Sequence, residues 1–184
     1  MKIYLVTGFI GANFLEYILN KHKNISVVVL DKLTYAGNLK KIESELKDKR
    51  VEFIKRDICN NELVENIFFK YYIDYIVNFT AESHVDRSVE NPKFFLETNI
   101  LGTQTLLNTA KKFWAIGKDE KGYPVYKEGK KYLQVSIDEV YGSLKKDISD
   151  EKELIFNDKD LIFYLKIEER YIIFLDLMKR LILI

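Results

Sequence analysis

The feature that most constrains the fold of this chain is a regular alternation. Short apolar runs bounded by turn residues are followed by longer segments in which apolar residues recur at helical spacing. This pattern is typical of repeated strand-helix units, whose parallel strands are buried on both faces. We therefore predict an α/β fold with a doubly wound parallel sheet of strand order 3-2-1-4-5. The predicted strands cover residues 2–7, 26–31, 51–57, 75–80 and 132–136, and the predicted helices cover residues 12–23, 39–47, 62–70 and 92–113.

Two segments depart from this pattern. Glycine and proline punctuate residues 114–131, which predicts a loop or hairpin before the fifth strand. After Leu144 the chain is rich in charged and aliphatic residues and contains neither glycine nor proline. We expect residues 145–184 to form a divergent tail, helical from about Leu161. Five apolar residues would partly share one face of that helix, namely Ile162, Leu165, Ile172, Leu175 and Leu181.

Charge and cysteine content exclude several classes of protein. The 29 lysine and arginine residues nearly balance the 28 aspartate and glutamate residues, so no long-range field would attract nucleic acid or an acidic membrane. Cys59 is the single cysteine, most simply a small core residue, and no metal-binding spacing or signal peptide is evident. The apolar residues 161–184 carry too many charges for a membrane span. We expect a cytoplasmic protein without a metal site.

The turn after the first strand, Thr7-Gly8-Phe9-Ile10-Gly11-Ala12-Asn13, is a candidate phosphate-binding turn. Glycines at such a turn let the backbone approach a pyrophosphate, which then lies at the N-terminus of the next helix. With only two glycines the motif is weak, and an ordinary strand-to-helix turn fits it equally well. Asp31 strengthens it, because an acidic residue about twenty positions further on can bind the adenosine ribose, which favours NAD over NADP.

Four sequence blocks together resemble the dTDP-glucose 4,6-dehydratases of the extended short-chain dehydrogenase/reductase family. The blocks are the turn at residues 7–14, Leu30-Asp31-Lys32-Leu33-Thr34-Tyr35-Ala36-Gly37-Asn38, Ala81-Glu82-Ser83-His84-Val85-Asp86-Arg87-Ser88, and Ser136-Ile137-Asp138-Glu139-Val140-Tyr141-Gly142. The second and third blocks are the specific ones, since related sugar epimerases differ there. The resemblance covers residues 1–144 and implies a Rossmann-like NAD-binding domain.

The resemblance also implies which residues bind NAD and the sugar nucleotide. The substrate site would begin at Ser83 and His84, although a histidine here is more often structural. The implied cofactor-binding residues are Gly8, Phe9, Ile10, Gly11, Asp31, Lys32, Leu33, Thr34, Asp57, Ile58, Thr80, Ala81, Glu82, Ser83 and Thr98.

The implied catalytic residues are Asp138 and Glu139. In the family, the sugar is oxidised by NAD at C4, water is eliminated across C5 and C6, and the hydride returns to C6, which requires an acid and a base in different protonation states. Taken without the resemblance, an Asp-Glu pair after a strand is more often a solvated turn.

The chain departs from the family at three places. The glycine turn has three fewer residues before Phe9, so we expect weakened NAD binding. Ile137 stands where the family has a threonine that hydrogen-bonds the sugar. The family's Tyr-x-x-x-Lys pair, whose phenolate accepts the C4 hydroxyl proton, is not recognisable after the fifth strand. The same spacing occurs at four other places: Tyr17/Lys21, Tyr123/Lys127, Tyr126/Lys130 and Tyr141/Lys145.

Three interpretations follow from this mixture of agreement and departure. The first is a dehydratase that converts dTDP-glucose to its 4-keto-6-deoxy product. The second is a non-catalytic remnant, without the C-terminal sugar-nucleotide lobe, that binds NAD or forms a homodimer through the helix at residues 92–113. The third is a related nucleotide-sugar epimerase, which the Lys32 to Asn38 and Glu82 to Ser88 blocks disfavour. The missing tyrosine pair separates the first two.

Overall fold

The computed structural model describes residues 1–8, 11–34, 39–82, 90–135, 162–167 and 170–175, the last two ranges as backbone only. Its main sheet contains seven strands, and a separate pair of short strands forms a hairpin. The strands are β1 (Lys2–Thr7), β2 (Ile25–Asp31), β3 (Val51–Lys55), β4 (Tyr75–Asn78), β5 (Ala115–Lys118), β6 (Pro124–Tyr126), β7 (Lys131–Val135), β8 (Ile162–Ile167) and β9 (Arg170–Leu175).

The order of the main sheet confirms the predicted topology. Its strands run β3-β2-β1-β4-β7-β9-β8, and the first five are parallel neighbours. Since β7 is the fifth predicted strand, the predicted order 3-2-1-4-5 is the observed one. The connections reverse direction between β1 and β4, which makes the gap between these two strands the switch point of the sheet.

The helices agree with the prediction in three of four places. Helix α1 covers Gly11–Lys21, and α2 covers Asn61–Tyr71 with the Asn60 side chain accepting a hydrogen bond from the Leu63 N–H at 3.0 Å. The predicted helix at residues 39–47 is wrong, because two 3₁₀ turns occupy it, at Leu39–Ile42 and Glu45–Lys47. Ile42 is its one fully buried apolar side chain, too little to stabilise three helical turns.

The predicted helix at residues 92–113 is present but is not uniform. It consists of α3 (Pro92–Phe95), a π-helical segment at Leu96–Gly102, and α4 (Thr103–Trp114). We call Leu96–Gly102 the π segment. Such wide turns recur at functional sites because they leave side chains and carbonyl groups free for contacts outside the helix.

Two further segments form antiparallel strand pairs. The strands β5 and β6 pair antiparallel, so residues 114–131 contain the hairpin that was one of the two predicted outcomes. The predicted tail helix is wrong where the structure describes the tail, since β8 and β9 form an antiparallel pair that extends the sheet beside β7. Isoleucine, tyrosine and phenylalanine dominate these strands and favour extended backbone, and β7 would otherwise present an unpaired edge.

The core lies on both faces of the sheet. In β1, Leu5 packs with α2 and α4 on one face, around Phe68 and Trp114, while its neighbour Val6 packs with α1 on the other face. Alternate residues of a strand point to opposite faces, so burial on both faces explains the continuous apolar runs of the sequence. This double layer fixes the strand ends that carry the candidate site.

Candidate functional site

The candidate site lies at the carboxyl edge of the sheet, beside the switch point. Gly8 follows β1 directly and has a left-handed backbone with φ +85°. A Cβ atom at Gly8 would lie 2.6 Å from the backbone carbon of Phe79 and 2.6 Å from the Thr80 nitrogen. Only glycine therefore fits between the ends of β1 and β4, and the backbone itself forms the floor of the crevice.

Gly11 begins helix α1 and packs the helix against the sheet. Its N–H donates to the Gly8 carbonyl at 3.1 Å, and a Cβ at Gly11 would lie 2.7 Å from the Val6 Cγ1. This close helix-strand packing is the role that the last glycine of a dinucleotide-binding turn performs. The amino end of α1 is thus placed next to the crevice after a very short turn.

Asp31 ends β2 on the other side of β1. Its Oδ1 accepts a hydrogen bond from the Leu33 N–H at 2.5 Å, and Leu33 has φ +54°, which is unusual for a residue with a side chain. Burial raises the pKa of the Asp31 carboxyl, and the Leu33 N–H offsets only part of that effect. The second oxygen has no hydrogen-bond partner among the described residues, so the carboxylate can accept a hydrogen bond from a ligand.

A mostly apolar pocket connects the glycine turn to Asp31. It lies over the carboxyl ends of β1 and β2 and is covered by the first 3₁₀ turn. Its lining residues are Gly8, Gly11, Ala12, Leu15, Val29, Asp31, Leu33, Leu39, Ile42 and Phe53. The pocket walls are thus apolar, and Asp31 places one carboxylate at the rim.

Lys32 and Asp57 close this region toward β3. The Lys32 Nζ lies 2.6 Å from the Asp57 Oδ2, and the Cys59 N–H donates to the Asp57 Oδ1 at 2.9 Å. Burial alone would raise the pKa of Asp57, but these two contacts outweigh it and lower the pKa. Burial, followed by the nearby Asp57, raises the pKa of the Cys59 thiol to about 11, so this cysteine stays protonated and unreactive.

Asn78 holds the end of β4 through a buried polar network. Its Oδ1 accepts hydrogen bonds from the Thr7 hydroxyl and, at 3.0 Å, from the Thr80 N–H. Its Nδ2 donates to the Gln134 Oε1 at 2.8 Å, and the Tyr132 hydroxyl donates to the same oxygen at 2.8 Å. The network joins β1, β4 and β7 just below the crevice. Asn78 is not among the residues predicted from sequence, although an asparagine inside an apolar strand is itself a signal.

The remaining predicted residues are only partly brought together. Thr80, Ala81 and Glu82 follow β4 at the carboxyl edge, Ile58 is buried in the loop after β3, and Thr98 is half-buried in the π segment. Thr34 is exposed at the end of the Asp31 turn. Six predicted residues lie outside the described residues, namely Phe9, Ile10, Ser83, His84, Asp138 and Glu139.

Two negative findings apply to the described part of the chain. It contains no group of three or more histidine, cysteine, aspartate or glutamate residues that could hold a metal ion. None of its helices is long and apolar enough to cross a bilayer.

Comparison with known proteins identifies the family. The model of the GDP-mannose 4,6-dehydratase family matches residues 5–157. The chain belongs to this family. A dTDP-glucose 4,6-dehydratase from Escherichia coli is 44% identical to it over 148 residues, which are 78% of this chain and 39% of that protein. The chain thus spans about two fifths of the length of the curated dehydratases that it matches.

Solved structures of dehydratases and epimerases share this fold. A dTDP-glucose 4,6-dehydratase from Bacillus anthracis in complex with NAD aligns with a TM-score of 0.63 at 37% identity, over 79% of this chain and 41% of that one. A dTDP-glucose 4,6-dehydratase from Streptomyces venezuelae with NAD bound gives 0.56 at 41% identity, over 60% and 36%. The NAD-bound UDP-glucose 4-epimerase from Thermus thermophilus gives 0.52 at 28% identity, over 68% and 45%.

The Tyr-x-x-x-Lys pairs in the described part of this family member lie away from the crevice. Tyr17 and Lys21 contact each other at 2.5 Å on the solvent face of α1. Tyr126 belongs to the β5-β6 hairpin, and Lys130 pairs with Asp74 at 2.9 Å where β4 and β7 begin, at the opposite edge of the sheet. The Tyr123/Lys127 pair flanks the hairpin strand β6. Tyr141/Lys145 lies outside the described residues.

The raised pKa of Asp31 predicts an unusual dependence of stability on pH. Above its ordinary pKa of 3.8, the folded protein retains a proton on Asp31 that the unfolded chain releases, so this carboxyl lowers stability as pH rises through that range. We expect Asp31→Asn to raise the melting temperature at pH 7 and to have a smaller effect at pH 4. Thermal unfolding at both pH values measures this.

Asp48 is the matched control for Asp31. Hydrogen bonds from the Arg50 side chain and backbone lower the Asp48 pKa to about 2. The stabilisation from this carboxylate therefore grows as pH rises from about 2 to the ordinary pKa of 3.8, and it is fully present at higher pH. Asp48→Asn should therefore lower the melting temperature at pH 7. A lower melting temperature for both variants at pH 7 would contradict the account of Asp31.

Proposed function

We propose that this chain is the NAD-binding domain of a nucleotide-sugar 4,6-dehydratase. The observation that carries the proposal is the placement of Gly8 and Asp31 on either side of the end of β1, with an apolar pocket between them. The glycine backbone would face the pyrophosphate, and the Asp31 carboxylate would accept hydrogen bonds from the adenosine ribose. The NAD-bound dehydratase from Bacillus anthracis supports this assignment.

The residues present fit the adenosine half of NAD better than the pyrophosphate. The pocket beside Asp31 has the apolar walls that an adenine ring requires, and Asp57 and Ile58 lie toward β3. Within this turn the Gly11 N–H already donates to the Gly8 carbonyl, so that group is not available to a phosphate oxygen. Bound NAD would supply a hydride acceptor at this edge. We expect Asp31→Asn to weaken its binding about tenfold, since one charged acceptor is lost.

The reaction proposed for the whole protein is the conversion of dTDP-glucose to its 4-keto-6-deoxy product. The support is the sequence identity with dehydratases that carry this name, together with the Asp138-Glu139 pair of the fourth block. These carboxyl groups would serve as the acid and the base of the elimination.

A non-catalytic NAD-binding role is the second candidate. It is favoured by the position of the Tyr-x-x-x-Lys pairs, none of which lies at the crevice within the described residues. We expect the purified chain to form no 4-keto-6-deoxy product from dTDP-glucose and NAD. The assay takes a full-length dehydratase as the active control, and product above background would establish the first candidate instead.

We also propose that the chain forms a homodimer through the helix at residues 92–113. Four large apolar side chains of α3 and the π segment are about half exposed, namely Phe94, Leu96, Ile100 and Leu101. Leu96 and Ile100 are four residues apart and share one side of the helix, and a cluster of exposed apolar residues is typical of an interface, whereas single exposed apolar residues are ordinary. A second copy of the same helix would cover the patch symmetrically.

Ile100→Glu tests the dimer. Ile100 is 57% exposed, so the substitution should leave the fold intact but place a charge in the interface. We expect the dimer dissociation constant to rise at least about 30-fold by sedimentation equilibrium. The control is Phe69→Glu on α2, where a phenylalanine is 71% exposed outside the patch. Equal effects of the two substitutions, or a monomeric parent chain, would contradict the proposal.

A further inference from the structure

The π segment holds the chain that leaves β4 by a side-chain clamp. The Asn99 Oδ1 accepts a hydrogen bond from the Glu82 N–H at 2.8 Å, and the Asn99 Nδ2 donates to the Glu82 carbonyl at 2.9 Å. One amide side chain therefore satisfies both backbone groups of Glu82, as a neighbouring strand would. The pairing of β4 with β7 ends at Asn78 and Gln134, so Asn99 takes over where the sheet stops.

The π segment is also fixed near both of its ends to the loop after β3. A Cβ at Gly102 would lie 2.5 Å from the Ile58 Cδ1, so the helix backbone rests directly on that side chain. The Cys59 thiol donates to the Glu97 carbonyl at 3.2 Å, which satisfies a carbonyl of the π segment. The π segment thus spans from the loop after β3 to the segment after β4, and its position determines where Glu82 lies.

Glu82 lies on the side of the crevice where the second half of a bound dinucleotide would be. Asp31 marks the adenosine side of the crevice at the end of β2, and the crevice continues across the switch point to β4. A dinucleotide that begins at Asp31 and crosses Gly8 places its second half over residues 80–82, the segment that follows β4. Thr80 is already held by Asn78, while Glu82 is held by Asn99.

We infer that Asn99 is a positioning residue for the nicotinamide half of NAD. It acts by holding the 80–82 segment at the crevice and does not itself touch the cofactor. The inference rests on the proposed function, since it assigns a role within the NAD site. It predicts that loss of the clamp affects ligands with a nicotinamide ring and spares ADP-ribose, which lacks the ring.

Calorimetric titration of the full chain with NAD and with ADP-ribose tests this role. Asn99→Leu removes both hydrogen bonds, and the nearly isosteric Asn99→Asp removes only the donor to the Glu82 carbonyl. We expect Asn99→Leu to weaken NAD binding about tenfold and Asn99→Asp to weaken it as well, with ADP-ribose binding unchanged in both. Asn108→Leu is the control, because Asn108 is exposed on α4 away from the clamp.

Equal loss of both ligands in the two Asn99 variants, or no loss in either, would overturn the inference while leaving the proposed function intact. If the parent chain binds neither ligand, the proposed function is wrong and this role falls with it. Amide hydrogen exchange of Glu82 adds a ligand-free measurement. The exchange should be slow in the parent and in Asn108→Leu and faster in both Asn99 variants, and equal rates throughout would overturn the clamp itself.

Discussion

Gly8→Ala is expected to lower the free energy of unfolding by about 2–5 kcal/mol. A left-handed backbone costs a residue with a Cβ about 1–2 kcal/mol, and overpacking adds about 1–3 kcal/mol. Both apply here, because Gly8 has φ +85° and its Cβ would lie 2.6 Å from backbone atoms of Phe79 and Thr80. The backbone cannot move aside as a flexible side chain could. Urea denaturation, read from the midpoint at constant slope, measures the loss.

Gly122 separates the two contributions to this loss. It has φ +82°, nearly the same as Gly8, but a Cβ there would meet no atom within 4 Å. Gly122→Ala should therefore lose only the conformational part, about 1–2 kcal/mol. If the two alanine variants lose the same stability, the close approach of β1 and β4 at the crevice is not as tight as the account requires.

Asn78→Leu is expected to destabilise the protein by about 3–5 kcal/mol, because it leaves several buried polar groups without partners. The Asn78 side chain is fully buried and contacts Thr7, the Thr80 N–H and Gln134. Burial raises the pKa of the Tyr132 hydroxyl, so that group stays protonated and continues to donate to Gln134, but it cannot replace the acceptor that Thr7 and the Thr80 N–H lose. Chemical denaturation of both proteins at pH 7 measures the difference.

Thr109 provides the opposite case within the same core. It is 1% exposed, and its hydroxyl has no hydrogen-bond partner among the described residues. Thr109→Val removes an unsatisfied polar group at constant shape, so its stability should be unchanged or higher by up to about 1 kcal/mol. A large loss for Thr109→Val, or a negligible loss for Asn78→Leu, would contradict the assignment of hydrogen-bonding partners in the core.

The central sheet could be predicted from the sequence because its strands are buried on both faces. Continuous apolar runs such as that of β2 are incompatible with a surface strand, and their alternation with helices leaves few topologies. The tail could not be predicted in this way. Isoleucine, leucine and phenylalanine at residues 162–175 satisfy a helical face and a strand equally well, and the exposed edge of β7, which the sequence does not reveal, favours the strand.

The candidate site likewise contains some residues that sequence can predict and others that it cannot. The placement of Gly8, Gly11 and Asp31 at the carboxyl edge of the sheet could be predicted from sequence, because close backbone approach requires glycine and the proposed ribose contact requires an acidic residue at a fixed spacing. Asn99 could not, since its partner is a backbone segment 17 positions away and the π segment that orients it has no sequence signature. An asparagine inside a helix, where it is unfavourable, is the one signal that could have drawn attention to it.

Calorimetric titration with NAD determines whether the chain has the proposed NAD site and whether its pyrophosphate turn is three residues too short. The parent chain is compared with a variant that carries Gly-Ala-Gly inserted between Gly8 and Phe9. We expect binding weaker than micromolar for the parent and at least about tenfold tighter binding for the insertion variant, because further backbone N–H groups reach the pyrophosphate. Micromolar binding by the parent chain, or no NAD binding by either protein, would contradict it.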